Sequence, residues 1–373
     1  MNRSNGRTID GEKPKARIIA FYLPQYHPIP ENDLWWGKGF TEWTNVGKAR
    51  KLFPGHYQPR VPADLGYYDL RVPETRQAQA DMAKKYGIEG FCWWHYWFGN
   101  GKRLLERPFE EVLASGQPDF PFCLGWANES WQGFWHGLNG REVLIEQKYP
   151  GREDYVAHFN AVLPALKDSR YLTVDGKPLF MIYRPLNAPE EISLFMKIWQ
   201  EMAVENGLKG IYFVCQTYEP DRELAPLQAL GFDAVNIVRM YDFERKQPSV
   251  KRRAKFLHKI FRCPTIVPYS KASRWFVDRK MDSHDGIIPT IIPNWDHSPR
   301  TGKKAFILHG STPELFRSHV DDVLDVLQDK PQEHRIAFVK SWNEWAEGNY
   351  LEPDMKFGTG YLEVLREELL KLK

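Results

Sequence analysis

Cysteine is scarce in this chain, long apolar runs are missing, and neither sign of charge prevails. The four cysteines, Cys92, Cys123, Cys215 and Cys263, stand far apart, the first three inside apolar runs. That distribution reads as buried free thiols and argues against a disulfide frame or a cysteine metal site. No run approaches the ~20 apolar residues that cross a bilayer. Residues 1–16 are polar, lack the apolar core of an export signal and are expected to form a disordered tail, which favours a cytoplasmic protein. A net charge of +3 is too small to imply nucleic acid, and no nucleic-acid-binding motif occurs. No G-x-G-x-x-G or Walker loop follows any apolar run, so no nucleotide site is indicated; neither cofactor nor metal is expected.

Aromatic residues, by contrast, are plentiful: 14 Trp, 17 Tyr and 22 Phe. Such rings fill cores, and they also stack on the apolar faces of sugars. Eight short apolar runs recur along the chain: RIIAFY from Arg17, IEGFCWWHYWF from Ile88, FCLGW from Phe122, PLFMIYRP, GIYFVCQTY, FDAVNIVRMY, GIIPTIIP from Gly286 and the run from Ile336 to Val339. Helical or mixed segments separate them. Pro73 to Tyr86 reads as a helix stopped by Gly87, Pro189 to Glu205 as another, and Thr312 as the N-cap of a helix reaching Gln328. This alternation predicts parallel βα units closed into a single α/β domain, a (β/α)8 TIM barrel over residues 17–373. An open doubly wound sheet is the alternative.

Barrel enzymes keep their chemistry at the C-terminal ends of the strands, and here those ends carry Trp, Tyr, His, Asn and acid. Tyr22 and His27 follow the first run, and Trp94, His95 and Tyr96 the second. Trp126, Asn128 and Glu129 follow the third, Trp295 and Asp296 the seventh, and Asn343, Glu344 and Glu347 the last. This set describes a cleft for an oligosaccharide or polysaccharide. Glu344 and Glu347 lie in SWNEWAEGNYLEPD, flanked by Trp342 and Trp345. Aromatic walls raise a carboxyl's pKa, and two acids three residues apart can be driven to different protonation states. On a helical turn their Cβ atoms would stand about 5–6 Å apart, so they are the candidate acid and base. The competing structural reading pairs them with Arg or Lys; a pairing of Glu129 with Glu344 across the cleft is a further option.

Three motifs in order, AFYLPQYHPIPENDLWWGKGFTEWTNV, WANESW and SWNEWAEGNYLEPD, give the region from about Arg17 to the C-terminus a specific likeness. It resembles the glycoside hydrolase family 99-like, WbsX-like domain found in O-antigen and other surface-polysaccharide gene clusters. The resemblance implies a (β/α)8 barrel acting on mannose-like or related glycans. In the similar endo-α-mannosidases two glutamates of a W-N-E-W-x-E-G-like motif do the chemistry, and they match Glu344 and Glu347. Glu344, as base, would deprotonate the sugar 2-hydroxyl, which attacks the anomeric carbon to give a 1,2-anhydro intermediate while Glu347 protonates the leaving oxygen; the outcome is retention. Ala346 departs from the endo-α-mannosidase pattern, which places a His there. A glycosyltransferase of O-antigen or polysaccharide biosynthesis and a non-catalytic glycan-binding module are the rival functions. Neither a nucleotide-sugar site nor a D-x-D pair is recognisable.

One segment belongs to no barrel motif. RKQPSVKRRAKFLHKIFR, from Arg245 to Arg262, is basic without an intervening acid, and Phe256, Leu257, Ile260 and Phe261 recur at helical spacing. A basic amphipathic helix suggests peripheral contact with an anionic inner-membrane surface or a lipid-linked glycan; the alternative is a solvated helix docked on the barrel.

Overall fold

The computed structural model describes residues 8–9, 11–133 and 142–371. Eight parallel strands form a closed sheet in which each pairs with its neighbours in chain order and the last returns to the first. They are β1 (Arg17–Tyr22), β2 (Gly90–Trp97), β3 (Phe122–Trp126), β4 (Lys177–Ile182), β5 (Tyr212–Thr217), β6 (Ala234–Ile237), β7 (Ile287–Ile291) and β8 (Ile336–Val339). Closure is direct: Tyr22 stands opposite Trp93 of β2, and Ala20 opposite Val339 of β8. Each run anticipated from the sequence coincides with one of these strands, β4 starting one residue earlier at Lys177, because parallel strands covered on both faces read as continuous apolar runs.

The principal helices outside the barrel are α1 (Pro73–Lys85), α2 (Arg107–Ser115), α3 (Arg152–Leu166), α4 (Pro189–Glu205), α5 (Pro220–Ala229), α6 (Pro248–Phe261), α7 (Pro313–Leu327) and α8 (Gly360–Leu370). Local chemistry sets their limits. The Thr312 hydroxyl accepts from the Leu315 amide at 3.3 Å, capping α7. Just past α1, Gly87 takes φ +89°, where a Cβ would fall 2.8 Å from Ile9 Cδ1 and 2.9 Å from Leu369 Cδ1. Of the stretch expected to be a disordered tail, residues 1–7 and 10 lie outside the described residues. Ile9 is buried and the Lys15 amide donates to Leu369 O at 3.1 Å, so the described part of residues 1–16 docks against α8.

Two additions sit on the C-terminal face of the barrel. The long Trp-rich loop after β1 carries two short helices, Pro30–Trp36 and Glu42–Lys48. A small three-stranded sheet joins Thr265–Pro268, Phe306–His309 and Trp295–Asp296. The basic segment is helical but divided: Gln247, at φ −120° and ψ 85°, breaks it between Asp242–Lys246 and α6. No helix among the described residues is long and apolar enough to cross a membrane.

Candidate active site

The site grows out of β8. Its exit is spliced to that of β1 by one side chain, Asn343, whose Oδ1 accepts from Leu23 N at 2.8 Å and whose Nδ2 donates to Leu23 O at 3.1 Å. Asn343–Glu344 then pairs antiparallel with Asn349–Tyr350, and Trp345–Glu347 form a single 3-10 turn between them. Two contacts lock that turn. The Trp345 indole stacks on Tyr350 with ring centres 3.8 Å apart, and its Nε1 donates to Glu352 at 2.6 Å. Glu352 also accepts from Tyr68 at 2.8 Å and Gln79 at 2.6 Å; burial still pushes its carboxyl up to about 7 against these donors.

Gly348 closes the turn at φ +56°, where a Cβ would fall 2.7 Å from Asp296 Cβ and 2.8 Å from Asp296 N. Neither atom can move without the backbone. Gly348→Ala is expected to destabilise the protein by about 1–3 kcal/mol and to depress activity by displacing Glu347. Thermal unfolding of purified variant and parent checks the first part.

Both acids face one cavity of about 730 Å3 at the C-terminal mouth of the barrel. Glu344 is buried, and its Oε1 accepts from Trp94 Nε1 at 3.1 Å. Burial, then the neighbouring Glu347 charge, pushes it up to about 7 against the pull of Lys340 and Arg300. Glu347 Oε1 accepts from Arg300 Nη1 at 2.5 Å, with His297 Nε2 3.7 Å away. Arg300 reaches back to Glu42 at 2.9 Å, a side chain with no exposed surface whose carboxyl burial raises and Arg300 opposes. The guanidinium is thereby held between two acids.

The opposite wall is aromatic and cationic. Arg184 lies over the rings of Tyr183, at 4.6 Å, and Tyr218, at 4.8 Å, with its Nε 3.6 Å from Glu129. Burial raises the Glu129 carboxyl and Arg184 opposes it. The Lys340 ammonium sits 5.2 Å over the Trp295 ring. Flat rings interleaved with charged hydrogen-bonding groups are what a hydroxylated ring with apolar faces requires. Among the described residues, no group of three or more His, Cys, Asp or Glu could hold a metal.

Of the candidates named from sequence, Glu344, Glu347, Trp94, Tyr96, Glu129 and Trp295 line this cavity. Seven others do not; they stand behind its wall. The Tyr22 hydroxyl donates to Gln79 at 2.6 Å, inside the core. His27 is buried with Nδ1 3.2 Å from Pro24 O. His95 lies on the opposite face of β2 from Trp94 and Tyr96, against His158 at 2.8 Å, and burial lowers it to about 3. Trp126 is buried and donates to Trp97 O at 2.9 Å. Asn128 holds the backbone of Arg184, and Asn343 that of Leu23. Asp296 is gripped by His56 and Gln58, both at 2.8 Å; burial would raise its carboxyl, but those hydrogen bonds and the Arg60 charge hold it well below the usual range.

Sequence reasoning passed over Tyr183, Arg184 and Tyr218, although each ends one of the anticipated runs and strand-end position was a usable signal. Glu42 opens a short helix in the long segment after β1, and His297 and Arg300 follow Trp295–Asp296, so none of them stands at the end of a barrel strand.

Comparison with known proteins agrees with this architecture. The family model described as "Glycosyltransferase WbsX" matches residues 18–365. Uncharacterized protein WxcX from two strains of Xanthomonas campestris pv. campestris is 39% identical over 360 residues, covering 95% of this chain and 50% of that protein. The chain thus spans about half the length of the curated relatives it matches. Among solved structures, a glycoside hydrolase-like protein aligns with TM-score 0.58 at 14% identity, over 100% of this chain and 98% of the other. The GH99 endo-alpha-mannosidase from Bacteroides thetaiotaomicron aligns with TM-score 0.57 at 16% identity, over 94% and 96%. At such identities the likeness is one of fold. The family match extends from the second residue of β1 into α8, and the chain, folded as a (β/α)8 barrel, belongs to the WbsX family.

Proposed function

We propose that this protein cleaves a glycosidic bond of a mannose-like residue in a bacterial surface polysaccharide or O-antigen glycan, with retention, using Glu344 as base and Glu347 as acid. The observation that carries this reading is that both carboxyl groups, three residues apart on one turn, line a single aromatic cavity. Ordinary retaining enzymes place their carboxyls about 5–5.5 Å apart on opposite sides of the anomeric carbon. Two groups carried by one turn can address one side of the sugar, which suits attack by the substrate's own 2-hydroxyl. Glu344 takes the O2 proton, O2 closes on C1, the bond from C1 to the leaving sugar breaks, and Glu347 gives its proton to the departing oxygen. Water then adds at C1: Glu347 takes the water proton, the C1–O2 bond opens, and Glu344 returns the proton to O2. The endo-alpha-mannosidase neighbour supports the substrate class.

The family's description favours a second reading, in which a sugar hydroxyl instead of water opens the intermediate and the protein transfers a chain. Incubation with polysaccharide fragments, followed by NMR of the product anomers, separates the two. A new reducing end of retained configuration supports hydrolysis, and elongated fragments support transfer. Turnover of a nucleotide-sugar donor would decide for a glycosyltransferase.

The pH profile follows from the pair. It needs one proton, which rests on Glu344 up to about pH 7 and passes to Glu347 before Glu344 acts as base. Cleavage is expected to fall with unit slope as pH rises through about 7, measured as kcat/KM on any fragment that is turned over.

A further inference from the structure

The cleavage reading leaves the basic helix unused. From Arg245 to Val277 the chain has ten Lys or Arg and no Asp or Glu, so the overall +3 is +10 here against −7 over the rest. Such asymmetry marks a surface for an anionic partner. On α6 the large apolar side chains Phe256 and Ile260 are 60% and 54% exposed, four residues apart and so on one face. Arg252 and Lys259, both exposed, stand one turn before and three residues after Phe256. Ile266, on the strand that follows, is also exposed. Apolar groups ringed by cations gain nothing from bulk water or from a sugar-phosphate chain; they suit the headgroup boundary of a bilayer.

Both ends of α6 are tethered to the rim of the cavity lined by Glu344 and Glu347. Arg245, just before it, lines that cavity and donates to Tyr218 O at 2.5 Å. After it, Thr265–Pro268 pairs in parallel with Phe306–His309, and Phe306 lines the cavity and packs on Tyr241 with ring centres 5.0 Å apart. We propose that α6 seats the C-terminal rim of the barrel on an anionic bilayer surface. The corollary, that glycan enters the cavity from molecules held at that surface, rests on the cleavage reading; the docking does not.

Co-sedimentation of the full chain, and of Glu344→Gln, with phosphatidylcholine vesicles lacking or containing phosphatidylglycerol tests the docking independently of catalysis. Binding is expected only to the anionic vesicles and should weaken as salt rises. Arg252→Glu with Lys259→Glu should lower it about tenfold or more. Phe256→Ser with Ile260→Ser, which leaves charge unchanged, should lower it several-fold. All four positions are exposed, so unchanged melting temperatures identify folded variants. The proposal is overturned if low-salt anionic vesicles do not bind. It is equally overturned if the serine variant binds vesicles as well as the parent and soluble heparin binds as tightly, since that describes a polyanion site.

Discussion

Glu344→Gln is expected to lower glycan cleavage by about 10²–10⁴-fold, the usual contribution of a positioned acid or base, while making the protein more stable at alkaline pH. The two effects share one cause. Burial and the adjacent Glu347 push Glu344 from an ordinary 4.5 to about 7. A carboxyl raised in the folded state contributes stability that is fully present below its unfolded value and lost as pH rises through the folded one. Here that window runs from about 4.5 to about 7, and the shift corresponds to on the order of 3 kcal/mol. Glutamine keeps an oxygen to accept from Trp94 and never ionises. The variant's melting temperature should therefore fall less than the parent's between pH 5 and pH 8, Glu352 supplying a residual slope in both. A parallel decline in the two proteins would show that Glu344 is not the strained group. Glu347→Gln should lose activity too, yet recover it on an aryl glycoside whose leaving group needs no proton; Glu344→Gln should not. Rescue of Glu344→Gln instead would exchange the two roles.

The barrel strands were readable because burial on both faces removes polar residues from every position. The same property hid the site. In a strand covered by barrel core on one side and helices on the other, apolarity cannot say which residues point inward. Trp94 and Tyr96 reach the cavity, while His95 between them turns to the helical layer and His158. Asn128 and Asn343 sit where sugar ligands were expected but hold backbone, a role fixed by partners 56 and 320 residues away. The Glu42, Arg300 and Glu347 chain is assembled from two short helices outside the barrel strands and the β8 turn. No local pattern announces an ion pair of that sequence separation. Glu344 and Glu347 were visible because acid beside tryptophan at a strand end breaks the local rule for a buried segment, and such breaks concentrate at functional sites.

Arg239→Met is expected to destabilise the protein by about 3–5 kcal/mol, the range for stripping one partner from a buried ion pair. Arg239 follows β6 and is 1% exposed. Its guanidinium donates to Asp282 at 2.7 and 3.1 Å and to Asp242 at 3.3 Å, and both acids are as deeply buried. Burial raises the Asp242 carboxyl and Arg239 opposes it first, followed by Lys246 and Arg245, so without the guanidinium the acid keeps only the two outer cations. Methionine matches the length of the stem and isolates the loss of charge. Replacing all three residues, as Arg239→Met, Asp242→Leu and Asp282→Leu, should recover most of the stability, because a buried triad offsets little more than its own desolvation. Chemical denaturation of parent, single and triple variants distinguishes the cases; a triple variant as unstable as the single one would mean that packing, not charge, was lost. The triad also reaches beyond stability. Asp242 opens the short helix Asp242–Lys246, which Arg245 and Lys246 brace at 3.3 and 3.8 Å from the same carboxyl. That helix carries Arg245 to the cavity lined by Glu344 and Glu347 and hands the chain to α6. The single variant should therefore lose anionic-vesicle binding along with stability, whereas Phe256→Ser with Ile260→Ser should lose binding alone.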